Sequence, residues 1–359
     1  MLKLFGKAEG DSSSNSDASE FCRVVSRRGT PPRMSPGSYD RSTGAKRDAF
    51  DGQRFDYMSR AIVETSTIDT LKKRLHRALI VNRRISEGRV GLIVSGSAGL
   101  GKTTALRALA SWVVARSERE SPGALGRGDV PAVYVSVPPP ATPRSMIARL
   151  ATAVRLPVRP RDTAETLMRE VVPQLRALST KVVFIDEVHR LGRAGRDQLD
   201  TSDVLKDLSD LVGCTFVYVG IGVERSGVLA GERGAQLAGR CSLLRMEPFA
   251  PNDAEEWASV VEGFVERSCL LGKVDIDADF LLERSRGSIG VLSGMFLQVV
   301  GLKLNGPHYA KDETLTNEDF EAAFVPIQAD DDAVGLDAVA AHRAAIRARG
   351  RGPARGRKH

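Results

Sequence analysis

A short run of small residues and one lysine, GSAGLGKT at residues 96–103, constrains this chain more than any other feature. It follows an apolar run at 91–95 and precedes an amphipathic run at 102–116, which gives the order strand, loop, helix. Glycines let such a loop curl until its N–H groups face one point, and the helix start adds positive charge there. The pattern predicts a phosphate-binding loop (P-loop) formed by Gly96, Ser97, Ala98, Gly99, Leu100, Gly101, Lys102, Thr103 and Thr104.

Short apolar runs continue along the chain and alternate with segments of helical spacing. The further strand-like runs lie at 132–137, 181–185, 215–219 and 241–246. The helical segments between the runs lie at 102–116, 142–154, 163–178 and 200–212. Continuous apolar strands separated by helices are typical of a parallel sheet covered on both faces. We therefore expect an α/β core with a five-stranded parallel sheet over residues 91–250.

The regions outside this core differ from it in composition. After Pro251 the pattern is helical at 252–271, 277–286, 289–304 and 316–324, which predicts a small all-helical lid over 251–327. Before the core, residues 51–90 are predicted to be a basic helical segment, since apolar residues recur at helical spacing from 68 to 85. Residues 1–50 lack periodicity and 328–359 form an acidic and then a basic stretch, so we expect disordered tails there.

Two acids, Asp186 and Glu187, follow the apolar run 181–185. Ligands of open α/β sheets bind at the carboxyl ends of the strands, where these acids would lie. In a P-loop protein, Lys102 is expected to bridge the β- and γ-phosphates of ATP, Thr103 to place its hydroxyl on Mg²⁺, and Asp186 to hold that ion through water. Glu187 is placed to polarise the attacking water. The two motifs together predict an ATPase that uses ATP and Mg²⁺.

Charge and cysteine content restrict the partners and the compartment. The net charge is +7, and residues 343–359 carry seven lysines and arginines with no acid. Such a run is either a solvated end or a phosphate-neutralising tail, which favours nucleic acid as a partner. Cys22, Cys214, Cys241 and Cys269 are far apart in sequence, which predicts reduced thiols and neither a disulfide framework nor a zinc site. No apolar run reaches the roughly 18 residues of a membrane span, so a cytoplasmic protein with no membrane contact is expected.

Two strings resemble helicase motifs, DEVH at 186–189 and QLAGR at 236–240. Leu243 stands where the second motif requires arginine, and no second strand–helix domain follows. A helicase of that type is therefore excluded.

Residues from about 66 to 305 resemble the TniB/TnsC-like transposition ATPases, an AAA+ group that includes the Mu B protein. The resemblance is carried by GSAGLGKTT, VPAVYVSVP, FIDEVHRL, VYVGIGVE, QLAGRC and GSIGVL, in this order. It implies an AAA+ fold and an ATP-dependent regulator that assembles on double-stranded DNA as a homo-oligomeric ring or filament. It also implies a DDE transposase as partner, a part in target-site selection, and nucleoid association on DNA. Hydrolysis, slow and stimulated by DNA or a partner, would drive disassembly.

The resemblance also implies roles for arginines. ATP in such assemblies lies between subunits, and an arginine from the neighbour completes the site. Arg240 matches the family motif and is the first candidate, Arg233 is the second, and a structural ion pair at a helix end is the alternative for Arg240. AAA+ proteins usually place a polar sensor at the end of the fourth strand, but residues 220–223 are Gly, Ile, Gly and Val. Arg286 is the nearest match to a second sensor, with a helix-end charge as its alternative.

DNA contacts are expected on loops at the edge of the core. The candidates are Arg144, Arg159, Arg161, Arg193 and Arg196. Contacts to phosphates would make the affinity tolerant of sequence and steeply dependent on salt.

Two other functions remain open from the sequence. An initiator- or loader-type AAA+ ATPase that opens or moves DNA would show fast turnover coupled to strand separation. A signalling or defence NTPase whose nucleotide gates a protein partner would show no effect of DNA on hydrolysis.

Overall fold

A computed structural model describes residues 17–27, 29–138, 142–193, 198–226 and 231–323. The core is one five-stranded parallel sheet, as the sequence predicted, and its strands lie in the order β2-β3-β4-β1-β5. No strand boundary differs from the predicted one by more than one residue. The strands are β1 (Gly91–Ser95), β2 (Ala132–Ser136), β3 (Val182–Asp186), β4 (Thr215–Gly220) and β5 (Cys241–Arg245).

Helices surround this sheet and build the regions before and after it. In chain order they are α1 (Ala18–Ser26), α2 (Pro36–Asp40), α3 (Gly44–Ser59), α4 (Ser66–Asn82), α5 (Lys102–Glu120), α6 (Pro143–Ala153), α7 (Ala164–Ala177), α8 (Gln198–Val212), α9 (Gly231–Arg240), α10 (Ala254–Ser268), α11 (Ala278–Ser285), α12 (Ile289–Leu304) and α13 (Asn317–Glu321). Short 3₁₀ turns cover Leu125–Arg127, Val188–Arg193, Val223–Arg225, Pro251–Asp253 and Ala310–Glu313.

The strand register brings chemically useful residues to one edge of the sheet. Every residue of β1, β3 and β4 is buried, as expected for strands covered on both faces. Ser136 lies beside Asp186, and Ser95 lies beside Gly220. The carboxyl ends of β2, β3, β4 and β1 therefore meet at the end of the sheet where the P-loop begins.

The expected disordered arm over 1–50 is wrong for the described part of that segment, which forms α1, α2 and the start of α3. Phe21 of α1 stacks on Tyr134 of β2 with ring centroids 5.4 Å apart. The buried Cys22 thiol donates to the carbonyl of Ala132 at 3.1 Å. The helix is only nine residues long, too short for its periodicity to stand out in the sequence, and it is stabilised by tertiary contact. Residues 1–16 lie outside the described residues.

A buried ion cluster ties α3 to the lid. Arg54 is fully buried, and its guanidinium donates to both carboxylate oxygens of Glu313 at 2.6 and 2.8 Å and also to Asp51. The same group lies over the Phe50 ring, 4.7 Å from its centroid. The predicted segment boundary at 50/51 thus falls inside a helix whose buried charges are satisfied by the lid.

The lid is a helical unit with its own hydrophobic core. Trp257, Phe264, Phe296 and Phe320 form this core, and Met58 of α3 is part of it. The lid is not all helical as expected, because β6 (Val274–Asp275) and β7 (Leu315–Thr316) form a parallel pair. Strands of two residues are too short to produce an alternating pattern. The predicted tail over 328–359 lies outside the described residues.

No single described helix is long and apolar enough to cross a membrane. The pair α11 and α12 passes the same test together on length and composition only, with a bend of 112° between the two helices.

The four cysteines are free. Burial raises the pKa of the Cys22 thiol to about 11 and that of Cys214 to about 12. These two thiols therefore stay protonated at neutral pH.

Candidate nucleotide site

The P-loop connects β1 to α5 and requires glycine at three positions. Gly99 and Gly101 have φ angles of 79° and 77°, in the left-handed region that glycine adopts without strain. A Cβ at Gly96 would lie 2.7 Å from the carbonyl oxygen of Met246. Lys102 is 8% exposed, and its ammonium donates to the carbonyl of Ser97. The loop and the lysine head group thus form one compact unit at the start of α5.

Two strands and the P-loop helix meet at the Asp186 carboxylate. Thr103 Oγ1 donates to Asp186 Oδ2 at 3.1 Å. The hydroxyl of Tyr134 donates to the same oxygen, also at 3.1 Å. Burial and the neighbouring Asp186 charge raise the pKa of Tyr134, so its hydroxyl stays a donor. No local sequence pattern marks Tyr134 as a site residue, although its strand is part of one family motif.

Thr103 and Asp186 fit a Mg²⁺ ion. Both supply oxygen, which is the ligand type that Mg²⁺ prefers, and the two oxygens are close enough to share one cation. Among the described residues, no group of three or more histidine, cysteine or acidic side chains could form an all-protein metal site. A cation here would therefore complete its coordination with water or with the phosphates of a ligand.

Glu187 lies immediately beyond β3 in an unusual conformation. Its φ angle is 60°, a left-handed value that is uncommon for a residue with a side chain. Its Oε2 atom is 2.8 Å from the Arg190 guanidinium and 3.8 Å from Nε2 of His189. Strained backbone of this kind is held by its surroundings and clusters at functional sites. The carboxylate is thus held by Arg190 of the following turn, with His189 close by.

The end of β4 carries no polar side chain, as the sequence indicated. At Gly220 the space for a side chain is filled by His189, since a Cβ would lie 2.8 Å from His189 Nδ1. The N–H of Ile221 donates to that nitrogen at 3.1 Å. No local sequence pattern marks His189. The glycine at 220, which leaves space for another side chain, was the one indication in the sequence.

The lid contacts the P-loop directly. Ser288 Oγ and the N–H of Gly290 each donate to the carbonyl oxygen of Gly99 at 2.8 Å. A Cβ at Gly290 would lie 2.1 Å from that oxygen, so only glycine fits. Arg286, the candidate second sensor, is exposed and caps the C-terminal end of α11 with a φ of 54°. Its position agrees with the helix-end alternative.

A cleft of about 220 Å³ opens between the lid, the P-loop and the segment before α4. Thr104 lies on its P-loop side. The cleft is also lined by apolar side chains, which include Val63, Ile68, Phe249 and Ile289. A flat apolar group attached to a phosphate chain would find a phosphate-binding loop and an apolar wall side by side.

The candidate arginines are placed differently from one another. Arg240, the last residue of α9, pairs with Asp210 of the same chain at 3.1 Å, which agrees with the ion-pair alternative. Arg233 belongs to α9, and Arg193 ends the 3₁₀ turn after β3. Arg196 lies outside the described residues.

The loop candidates for DNA contact include one structural arginine. Arg144 donates to the carbonyl oxygens of Asp162, Arg159 and Pro160 at 2.6 to 3.1 Å, so it shapes the loop after α6. Arg159 and Arg161 on that loop are exposed. Arg159 and Arg161 therefore face solvent on one loop, and the hydrogen bonds from Arg144 stabilise the backbone of that loop.

The sheet order, the P-loop and the acids beyond β3 define a P-loop ATPase of the AAA+ class. The family model described as "Bacterial TniB protein" matches residues 55–251, which is more than half of the chain. The chain belongs to the TniB family. No curated protein shows significant similarity to it.

A solved structure supports the fold. The ORC2 protein of Aeropyrum pernix, determined as ADPNP and ADP complexes, is 15% identical over 83% of this chain and 70% of its own, with a TM-score of 0.50. The ORC1 protein of the same organism, determined in complex with DNA, is 16% identical over 80% of this chain and 67% of its own, with a TM-score of 0.49. At these identities the likeness concerns the fold alone.

Proposed function

We propose that this protein is an ATP-dependent regulator of DNA transposition that assembles on double-stranded DNA and releases it after hydrolysis. The observation that carries the proposal is the contact between Thr103 and Asp186 at the mouth of the P-loop, with Glu187 beside it, in a chain of the TniB family. A DDE transposase is the proposed partner that the assembly recruits or activates at a target site. The proposed location is the cytoplasm, with the DNA-bound form on the nucleoid.

The site residues divide the work of binding and hydrolysing ATP. The P-loop N–H groups and Lys102 bind the phosphates, and the base enters the apolar cleft beside Ile289. Mg²⁺, when bound, would neutralise charge on the phosphate oxygens. Thr103 and Asp186 supply its protein oxygens, and the Tyr134 hydroxyl fixes the orientation of the Asp186 carboxylate. Glu187 orients the attacking water and accepts its proton.

Assembly would add a neighbour's arginine to this site. Arg240 is half-buried and held by Asp210, so the same guanidinium would have to exchange this partner for a phosphate oxygen across a subunit boundary. Arg233 is the second candidate for the role. ATP that contacts two subunits favours the assembled state by mass action, and hydrolysis removes that advantage.

DNA would be held through its phosphates by the loop after α6. Arg159 and Arg161 are exposed there, and Arg144 fixes the backbone that carries them. Arg193, Arg196 and the basic residues of 343–359 are further proposed contacts. Each phosphate contact that is lost should flatten the dependence of affinity on salt.

The test compares two variants that fail at different steps. Lys102→Ala should abolish ATP binding and with it ATP-dependent assembly on duplex DNA. Glu187→Gln should bind ATP, stop hydrolysis and accumulate DNA-bound oligomers. Calorimetry measures nucleotide binding, and phosphate release measures hydrolysis. Electron microscopy with ATP and duplex DNA measures assembly.

A charge-matched control separates loop contacts from net charge. Arg159→Ala and Arg161→Ala together should weaken DNA binding, whereas Arg41→Ala and Lys46→Ala on the exposed surface of the N-terminal segment should not. Equal loss of DNA binding in Lys102→Ala and Glu187→Gln would argue against the switch. Fast turnover with strand separation would favour a loader, and turnover indifferent to DNA would favour a signalling NTPase.

A further inference from the structure

The turn after β3 puts an imidazole where the neighbouring strand offers no side chain. His189 is 9% exposed and lies against Gly220, the last residue of β4. A side chain at 220 and the ring at 189 exclude each other, because a Cβ at 220 would be 2.8 Å from Nδ1 and 3.2 Å from the His189 backbone nitrogen. One polar group therefore fills the space between the ends of β3 and β4, and it comes from the turn after β3.

The orientation of the ring is fixed by a hydrogen bond. A backbone N–H can only donate, so Nδ1 accepts from Ile221 at 3.1 Å and carries no proton. The proton of the neutral ring is then on Nε2, which is the atom facing Glu187 Oε2 at 3.8 Å. This distance is too long for a direct hydrogen bond, but a small side-chain shift or one bridging water would complete the contact.

We propose that His189 is the positioning residue that holds Glu187 and its water for attack, in place of a polar side chain from β4. This inference rests on the proposed ATPase function. In the reaction the water oxygen bonds to the γ-phosphorus as the bond to the β–γ bridging oxygen breaks, ADP leaves, and Glu187 takes the water proton. His189 acts on this step through the carboxylate of Glu187.

Arg190 contacts the same carboxylate but differs in its setting. Its side chain is 39% exposed, against 10% for His189, and it also donates to the carbonyl of Val137 at 3.1 Å. An ion pair made by an exposed arginine contributes little free energy, and the arginine readily moves to another partner. The buried ring, which accepts from the backbone N–H of Ile221, is the more rigid of the two contacts. Loss of Arg190 should therefore have a smaller effect on turnover than loss of His189.

The experiment measures kcat and KM for ATP, together with ATP affinity, on the full chain with Mg²⁺. His189→Ala should lower kcat about 10- to 100-fold, the range for loss of an outer partner that orients a functional group, with ATP affinity within about twofold. His189→Asn, which keeps an acceptor for Ile221, should fold like the wild type and lose less. In the Glu187→Gln background, His189→Ala should have no further effect. His76→Ala on α4 is the control histidine.

A pair of substitutions at Gly220 tests the shared space. Gly220→Ala should displace the ring and lower kcat in the wild type, but its added effect in His189→Ala should be much smaller, because only the longer contacts with Val223 at 3.1 Å and the backbone nitrogen of residue 189 at 3.2 Å remain. Gly220→Asn in the His189→Ala background returns an amide to the same space, and kcat should recover by at least about threefold. A purely structural histidine would change the melting temperature without this recovery.

The outcomes separate the inference from the function on which it rests. A kcat for His189→Ala and His189→Asn within twofold of the wild type would overturn the role of His189, with the ATPase function intact. A fall in ATP affinity as large as the fall in kcat would overturn it as well, since positioning for attack acts on turnover. A wild-type protein without ATP turnover would overturn both.

Discussion

The hydroxyl of Ser288 at the start of α12 donates to the carbonyl oxygen of Gly99 in the P-loop at 2.8 Å. Gly290 donates to the same oxygen, and no other residue at 290 leaves room for that approach. The lid is therefore bonded to the loop that would receive the phosphates. A change of loop shape on nucleotide binding would be transmitted to the lid without an intermediate residue.

Removing the Ser288 hydroxyl tests this connection. Ser288→Ala should lower the free energy of unfolding by about 1 to 2 kcal/mol, because the hydroxyl both donates to Gly99 and caps α12 by accepting from the N–H of Val291, and it should weaken ATP binding. Gly290→Ala should be worse, because the new Cβ would meet Gly99 O at 2.1 Å. Urea unfolding and calorimetric ATP titration are the measurements, with the exposed Ser259→Ala on α10 as control. Identical ATP affinity in all four proteins would show that the connection does not reach the nucleotide.

The buried cluster around Arg54 predicts a large loss of stability. Arg54→Ala would leave Glu313 and Asp51 buried without their cation, which costs about 3 to 5 kcal/mol in comparable sites. Arg23→Ala, which breaks an exposed pair with Glu20, should cost less than about 1 kcal/mol. Thermal or urea unfolding gives both values. If Arg54→Ala lowered the free energy of unfolding as little as Arg23→Ala, the cluster would have to be solvated in the native protein.

Tyr134 should matter for the metal more than for the fold. Tyr134→Phe removes one of the hydroxyls that fix Asp186, and we expect about a tenfold higher Mg²⁺ requirement for ATP binding. Tyr57→Phe, whose ring lies beneath Arg267, is the matched control. A Mg²⁺ titration at fixed ATP measures the shift. Overlapping titration curves for the two variants would contradict the role of the hydroxyl.

Glu224 should make stability depend on pH in acid. Burial by itself raises the pKa of Glu224, but hydrogen bonds from Ser95, its own backbone and Arg245 outweigh it and hold the pKa below its usual value. A carboxyl with a depressed folded-state pKa stabilises the protein above its unfolded-state pKa, near 4.3, and that stability is lost as pH falls through the folded-state value.

Glu224→Gln should therefore cost about 1 to 2 kcal/mol at pH 7, since the hydrogen bonds lost include charged partners. The difference from the wild type should shrink as the pH falls below the unfolded-state pKa, because the unfolded chain then takes up a proton, and it should disappear below the folded-state pKa, where the native carboxyl is neutral as well. Urea unfolding at pH 7, 5 and 3.5 measures it. Glu165→Gln, whose carboxylate is 80% exposed, is the control and should change little at any of these pH values. A constant difference across the pH range would exclude the carboxylate charge as its source.

The sequence predicts the core well because its signals are local. Apolar runs mark the strands, and the glycines of 96–101 and the acids at 186 and 187 mark the carboxyl edge of the sheet. Tyr134 and His189 were not predicted as site residues because they contact Asp186 and Ile221, which lie far from them in the sequence and come close only in the folded chain. The same holds for α1, whose Phe21 becomes meaningful once β2 is beside it.

The N-terminal helices contact both the α/β core and the lid, and this affects where the chain can be shortened. Phe21 rests on the α/β core and Arg54 is buried in the lid, whereas the family match begins at residue 55. A protein shortened to that boundary would keep every nucleotide-site residue named above, but it would expose the face of β2 that Phe21 covers and leave the buried Glu313 carboxylate without its cation. Its poor solubility would be the result of where the chain was cut.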